Sequence, residues 1–187
     1  MIKKLFFIFF TTIIIFILII LYLNFIGIET NKFNSLIKNE IKSYNNRIDI
    51  KLNKVKLLLD INNLSLKIQT KNPTIIVEDK EVSIEKISTN ISISSYLKNN
   101  FGIKNLTIIT QENKIKDLLY INRSINNSAS FLLLSSFIKK GNIKTIINLE
   151  FDEDGNLLKN YNLSGILKDV ELRFREFENI DKINLNF

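Results

Sequence analysis

From Leu5 to Leu23 the chain carries no charged residue, and Ile, Leu and Phe fill most of the run. Nineteen residues at the helical rise span about 28 Å, close to the ~30 Å hydrocarbon layer of a bilayer. The run ends in Tyr22, Leu23, Asn24, Phe25 and Ile26, with no small-residue cleavage pattern before Gly27, so it reads as an uncleaved anchor. Lys3 and Lys4 precede it and the first charge after it is Glu29. That asymmetry places the N-terminus in the cytoplasm and the rest of the chain across the membrane.

The pattern then changes period twice. Phe33, Leu36, Ile37, Ile41 and Tyr44 repeat at helical spacing, which predicts an amphipathic helix over Thr30–Tyr44 with Thr30 as its N-cap. Lys3, Lys4, Tyr22, Phe25, Phe33, Leu36 and Ile37 are the candidate membrane-interface residues. After Asn45 and Asn46 the period becomes two. Ile48, Ile50 and Leu52 alternate with polar neighbours, then Val55, Leu57, Leu59 and Ile61, then Leu64, Leu66 and Ile68, with a turn expected at Asn62-Asn63. Lys71-Asn72-Pro73 interrupts, Thr74–Glu78 resumes, and Asp79-Lys80 turns the chain into Val82–Ile93. A helical turn is expected at Ser94–Asn100, with Leu97 and Phe101 as its apolar contacts, and a strand at Ile103–Thr110. Helical spacing returns at Ile115, Leu118, Leu119 and Asn122. A further helix is expected over Ser128–Lys140, where Phe131, Leu132, Leu134, Ser135 and Ile138 crowd together and Gly141 ends it. Strands at Ile143–Phe151, Tyr161–Leu167, Val170–Phe174 and Ile183–Phe187 complete the set.

Composition narrows the chemistry. The chain has no Cys and no His, which removes disulfides, Cys/His zinc sites, a Cys nucleophile and a His base. The formal charge is +7, but the basic residues are spread singly along the strands and read as a solvated face; no nucleic-acid site is expected. Asp152, Asp154 and Asn156 match the start of a calcium loop, yet Gly155 is misplaced for the turn and Leu163 stands where an acidic residue would close it. Acidic residues with Gly also make a hairpin loop, which is the reading adopted. Glu78, Asp79, Glu81 and Glu85 read as the wet side of a hairpin. With no phosphate loop and no G-x-S-x-G elbow, no enzyme and no cofactor are expected.

Successive strands offer one Ile/Leu face and one Lys/Asn/Ser face, as an antiparallel sheet wet on one side does. The helices Thr30–Tyr44 and Ser128–Lys140 are the candidate cover, enough for about half of such a sheet given the ~10 Å width of a helix. The remaining apolar face is then an interaction surface.

The order of these features resembles one family. A short basic start and one membrane helix lead to GIETNKFNSLI, then RIDIKLNKVKLLLDINNLSLKIQT, KEVSIEKISTNISISSYLKN running into FGIKNLTII, and NLLKNYNLSGILKDVELRF. The chain resembles the N-terminal part of AsmA-like proteins, bacterial relatives of the bridge-like lipid-transfer proteins. The resemblance implies an inner-membrane anchor (1–28) and a periplasmic β-groove (29–187) that carries phospholipid acyl chains towards the outer membrane. Family members are longer, so a truncated member, or a short one acting with other envelope proteins, is implied. The expected fold is α+β and mostly antiparallel β: a transmembrane helix, an amphipathic helix, then a curved open sheet with short helices. Ile48, Ile50, Leu52, Leu64, Leu66, Ile68, Ile147 and Leu149 are the candidate lipid-facing residues. The alternative is a scaffold that pairs through an open sheet edge.

Overall fold

The period-two pattern becomes a mostly antiparallel open sheet in the computed structural model, which describes residues 2–97, 102–125, 135–152, 154, 156–159, 161–173 and 180–187. Phe101, Phe131, Leu132, Leu134, Glu153, Gly155 and Phe174 lie outside them.

Helix α1 (Ile2–Phe25) is apolar along its whole length, and its central side chains are exposed to the surroundings. It is long and apolar enough to cross a membrane, a composition that serves either a span or a signal sequence. A buried core helix it is not. Thr11 and Thr12 donate their hydroxyls to the carbonyls of Phe7 and Ile8, at 2.8 and 2.9 Å, so neither leaves a polar group unpaired in an apolar setting. Gly27, at φ 75°, donates its N–H to Tyr22 O and ends the helix. A side chain there would run into the carbonyl of Leu57.

β1 (Ile28–Thr30) follows at once and pairs antiparallel with β3 (Val55–Asp60). Thr30 therefore belongs to a strand and is not a helix cap. Its short ladder was hidden by the helical spacing downstream. Helix α2 (Asn34–Tyr44) starts later, with Phe33 at its N-cap position and no side-chain cap. Asn34 donates instead to the carbonyls of Leu52 and Asn53, and Lys38 and Lys42 both reach Asp49. These contacts hold α2 against β2 (Ile48–Lys51).

The remaining strands are β4 (Ser65–Lys71), β5 (Thr74–Val77), β6 (Lys80–Ser92), β7 (Ile103–Thr110), β8 (Asn113–Lys114), β9 (Ile138–Glu150), β10 (Asn162–Leu172) and β11 (Ile180–Asn186); helix α3 is Ile93–Leu97 and helix α4 Ile115–Ile125. The main sheet order is β1-β3-β4-β6-β7-β9-β10-β11, with β2-β5 joined to β6 and β8 to β9. In β6 the register shifts between Ile84 and Lys86. This bulge lets Val82 and Ile84 share a face with Ile87, Thr89 and Ile91, although the spacing between Ile84 and Ile87 is odd.

The helix expected over Ser128–Lys140 is not what the described part shows. Residues 135–137 are helical, but Ile138–Lys140 already belong to β9. Gly141 is not a cap; it sits inside the strand at φ 142°, where a Cβ would lie 2.9 Å from the Val170 Cα. Glycine is what lets β9 and β10 approach under α4.

Candidate functional site

Residues directly opposite one another in an antiparallel ladder point to the same face, so the register assigns each side chain. Val55, Thr70, Ile87, Ile108, Ile147 and Leu163 form one cross-strand row. Leu57, Ile68, Thr89, Leu106 and Leu149 form the next. The row between them on the other face is Lys56, Gln69, Ser88, Thr107, Asn148 and Asn162. One side of the sheet is thus mostly apolar across six strands, and the other mostly polar, with Ile146 and Ile166 as its exposed apolar exceptions. Leu66, Ile68, Ile147 and Leu149 fall together on the apolar side, each half-buried.

The other sequence candidates sit elsewhere. Ile50 is buried, and Ile48 packs against a core of Val77, Val82, Ile84 and Ile121. Leu52 is half-buried just past the end of β2, and Leu64 occupies the β3–β4 turn with its side chain exposed. Of the interface candidates, Lys3 and Lys4 lie in the first turn of α1, and Tyr22 and Phe25 in its last turn. Phe33, at the N-cap of α2, and Leu36 within it are exposed, whereas Ile37 is half-buried. Ile26 and Ile28 extend this exposed apolar strip between the two helices.

Helix α4 roofs one end of the apolar face. Asn113, buried just ahead of it, accepts the Ser83 N–H at 2.8 Å and donates to the carbonyls of Ser83 and Gln111. That bracket fixes where α4 starts. Tyr120 donates to Glu78 at 2.6 Å, and Lys80 lies 3.8 Å from Asp117, so the helix is pinned to the β5–β6 hairpin. On its other flank Ile115 and Leu119 are buried against Val170, and beyond that contact a gap opens between the helix and β9, β10 and β11.

The gap is a cavity of about 590 Å³. Its roof is Ile115, Leu118, Leu119 and Asn122. Its floor includes Ile143, Leu167, Val170 and Ile183, and Phe137, Leu185 and Phe187 stand at the exposed rim. No charged side chain lines it, and its volume lies within the usual range for small-molecule pockets. Ile143 and Leu167 belong to the same strand faces as Ile147 and Leu163, with Thr145 and Gly165 between them. Thr145 is buried and bonded to Thr110 and the Phe187 ring lies over Gly165, so the cavity adjoins the apolar strip across this pair. Sequence spacing marked α4 as amphipathic but held no sign that β9, β10 and β11 meet beneath it.

The charged groups are organised behind this surface. Lys168 reaches Glu112 at 2.8 Å and Lys144 reaches Glu85 at 2.6 Å. Lys140 and Lys139 both approach Glu171. Hydrogen bonding from Lys168 holds the Glu112 carboxyl below its ordinary range, and Lys140 does the same for Glu171.

Asp152 braces the acidic loop from its first position. Asp152 accepts the backbone N–H groups of Asp154 and Asn156 on one carboxylate oxygen and the Asn156 amide on the other. Among the described residues, no group of three His, Cys, Asp or Glu side chains is placed to hold a metal ion.

No family model, curated protein or solved structure matches the chain. The apolar sheet face and its roofed end carry the functional case.

Proposed function

We propose that the protein is a single-pass inner-membrane protein that handles phospholipid acyl chains. Its N-terminus lies in the cytoplasm and its sheet in the periplasm, where the apolar face and the cavity beneath α4 hold chains in transit between the two membranes. The observation that carries this reading is the charge-free cavity of about 590 Å³ at one end of a mostly apolar sheet face six strands wide. Each CH₂ moved from water onto such a surface gains about 0.8 kcal/mol, so a chain can be held with no specific polar contact. Lys3 and Lys4 before α1, and Glu29 after it, support the orientation. The resemblance to AsmA-like proteins agrees with it, and other envelope proteins are candidate partners in the same reading.

A photo-crosslinking amino acid at Leu167 should capture phospholipid in cells several-fold more strongly than one at Lys168, which lies on the opposite face. Equal labelling at the two sites would overturn the reading. A scaffold pairing through the β11 edge is the second reading, favoured by the absence of a further neighbouring strand among the described residues. Lys182, at φ 59° within β11, breaks the regular ladder that such pairing needs, as protected edges do.

A further inference from the structure

Five non-glycine residues among the described ones have positive φ: Leu64, Asn72, Glu78, Asp169 and Lys182. Four are polar. Leu64 (φ 44°) is the exception, and a bulky side chain in the left-handed region is costly where Asn or Gly would sit without strain. It is also 64% exposed. A residue that is wrong for its backbone and wrong for water is explained if something apolar covers it.

The register says what lies beside it. β3 runs antiparallel to β1, with Ile28 opposite Leu57, so Leu58–Asp60 continue past the start of β1 and back alongside the end of α1. Gly27 sits against Leu57 and Leu58, and Ile20, Leu23 and Asn24 of α1 are half-buried. The β3–β4 turn therefore points back along α1, in the direction from which the helix comes. Asp60 closes this turn by accepting the backbone N–H and the side-chain amide of Asn63, so the aspartate is satisfied locally. Helix α3 is tied to the same turn, with the Ile93 N–H donating to Leu64 O at 3.1 Å. Its last residue, Leu97, is 75% exposed, and Ile61 in the turn is 40% exposed. The β5–β6 turn at the opposite end of the sheet is built from Glu78 and Asp79.

We propose that the β3–β4 turn and α3 form a membrane-docking surface, with Ile61, Leu64 and Leu97 seated in the interface of the bilayer that α1 crosses. This rests on the reading of α1 as a span. The consequence is a fixed posture: the β3–β4 end of the sheet abuts the lipid and the β5–β6 end points away. Leu64 then belongs to a membrane contact and not to the lining of the apolar face.

The chain has no cysteine, so single-cysteine labels report cleanly. The full chain is reconstituted in vesicles of phosphatidylethanolamine and phosphatidylglycerol containing spin-labelled lipid, with a fluorophore at Tyr22→Cys, Leu64→Cys, Leu97→Cys or Asp79→Cys. Lipid quenching at 64 and 97 should approach that at 22 and exceed that at 79 by at least twofold. Quenching at 22 with none above the 79 level at 64 and 97 would overturn the proposal and leave the anchor standing. No quenching at 22 would overturn both. Leu64→Asn serves as an unlabelled partner to the Leu97→Cys label. It relieves the backbone, so thermal stability is retained or raised, while quenching at 97 falls by about half; unchanged quenching would count against the proposal.

Discussion

Helix α4 has two flanks, and they are built differently. Towards β5 and β6 it meets a close-packed core: Val77 is 0% exposed and Ile84 is 2% exposed, with Val82 and Ile121 beside them. Towards β9, β10 and β11 the same helix buries Ile115 and Leu119 against Val170 but leaves about 590 Å³ beside them unfilled. The residue types are alike on both sides, mostly Ile, Leu and Val, so hydrophobicity does not separate them. Geometry does. The β5–β6 hairpin is clasped to α4 by Tyr120, Lys80 and the Asn113 bracket. β10, by contrast, shifts register against both of its neighbours near Lys168–Leu172, and such shifts turn the strand and open space above it. A helix roof that is close-packed on one side and only partly packed on the other suits a binding cavity: one flank holds the fold, and the other keeps Ile115 and Leu119 seated on Val170 while leaving room for a ligand beside them.

The sharpest break of that contrast is a pair of truncations. Ile84→Ala removes a fully packed side chain and should cost about 3 kcal/mol, within the range for buried Ile to Ala changes. Ile143→Ala enlarges a space that already exists, and should cost under about 1.5 kcal/mol, because fewer contacts are lost. Denaturant unfolding of the full chain in amphipol would measure both. Equal costs would mean that the two flanks are packed alike.

Filling the vacant flank sharpens the contrast further. Leu167→Trp places a larger apolar group at the cavity floor, where there is room for it. Stability should change by less than about 1 kcal/mol, whereas capture of a photoreactive acyl probe should fall at least tenfold. A loss of stability without loss of capture would show that acyl chains bind elsewhere.

What could be seen in the sequence follows the same division. Strands were legible because one face of the sheet is wet, so Leu66, Ile68, Ile147 and Leu149 could be grouped before their partners were known. The α+β class, the open antiparallel sheet and the long apolar helix followed from the same periodicities. The dry core was harder, because Ile48 and Ile50 have the pattern of exposed-sheet residues and only the β2–β5 pairing buries Ile50 and packs Ile48 against the core. Thr30 looked like a cap since a strand of three residues has too little period to show. Gly141 looked like one too, because a glycine after an apolar run has the same signature whether it ends a helix or lets two strands close. The cavity was not legible at all. It depends on register between β9, β10 and β11 and on a helix that precedes them, and nothing local in any one segment encodes that meeting.

Acid should separate the flanks last and least. The vacant side is backed by ion pairs, Lys168 with Glu112 and Lys140 with Glu171, and both carboxyls are held below their ordinary range by those lysines. In the unfolded chain they titrate near the usual value of about 4.3. A carboxyl whose folded value is depressed contributes stability that is complete above the unfolded value and is lost as pH falls through the folded one. Nothing should change from pH 7 to about pH 5.5, and protection of β10 amides against hydrogen exchange should fall only below about pH 4. Asp49, held down by Lys38, makes α2 respond in the same sense. The core of Val77, Val82, Ile84 and Ile121 contains no ionisable group, and the carboxylates of its clasp, Glu78 and Asp117, lie at the surface outside it, so β5 amides should keep their protection longer. The Lys168–Glu112 pair is solvent-facing, and the lysines that meet the more enclosed Glu171 are themselves open to water; such pairs are individually weak, so the expected gap between β10 and β5 is small. If β5 loosened at the same pH and to the same extent as β10, the two flanks of α4 would be one cooperative unit, and the vacancy would be a packing defect within it and not a separately adjustable site.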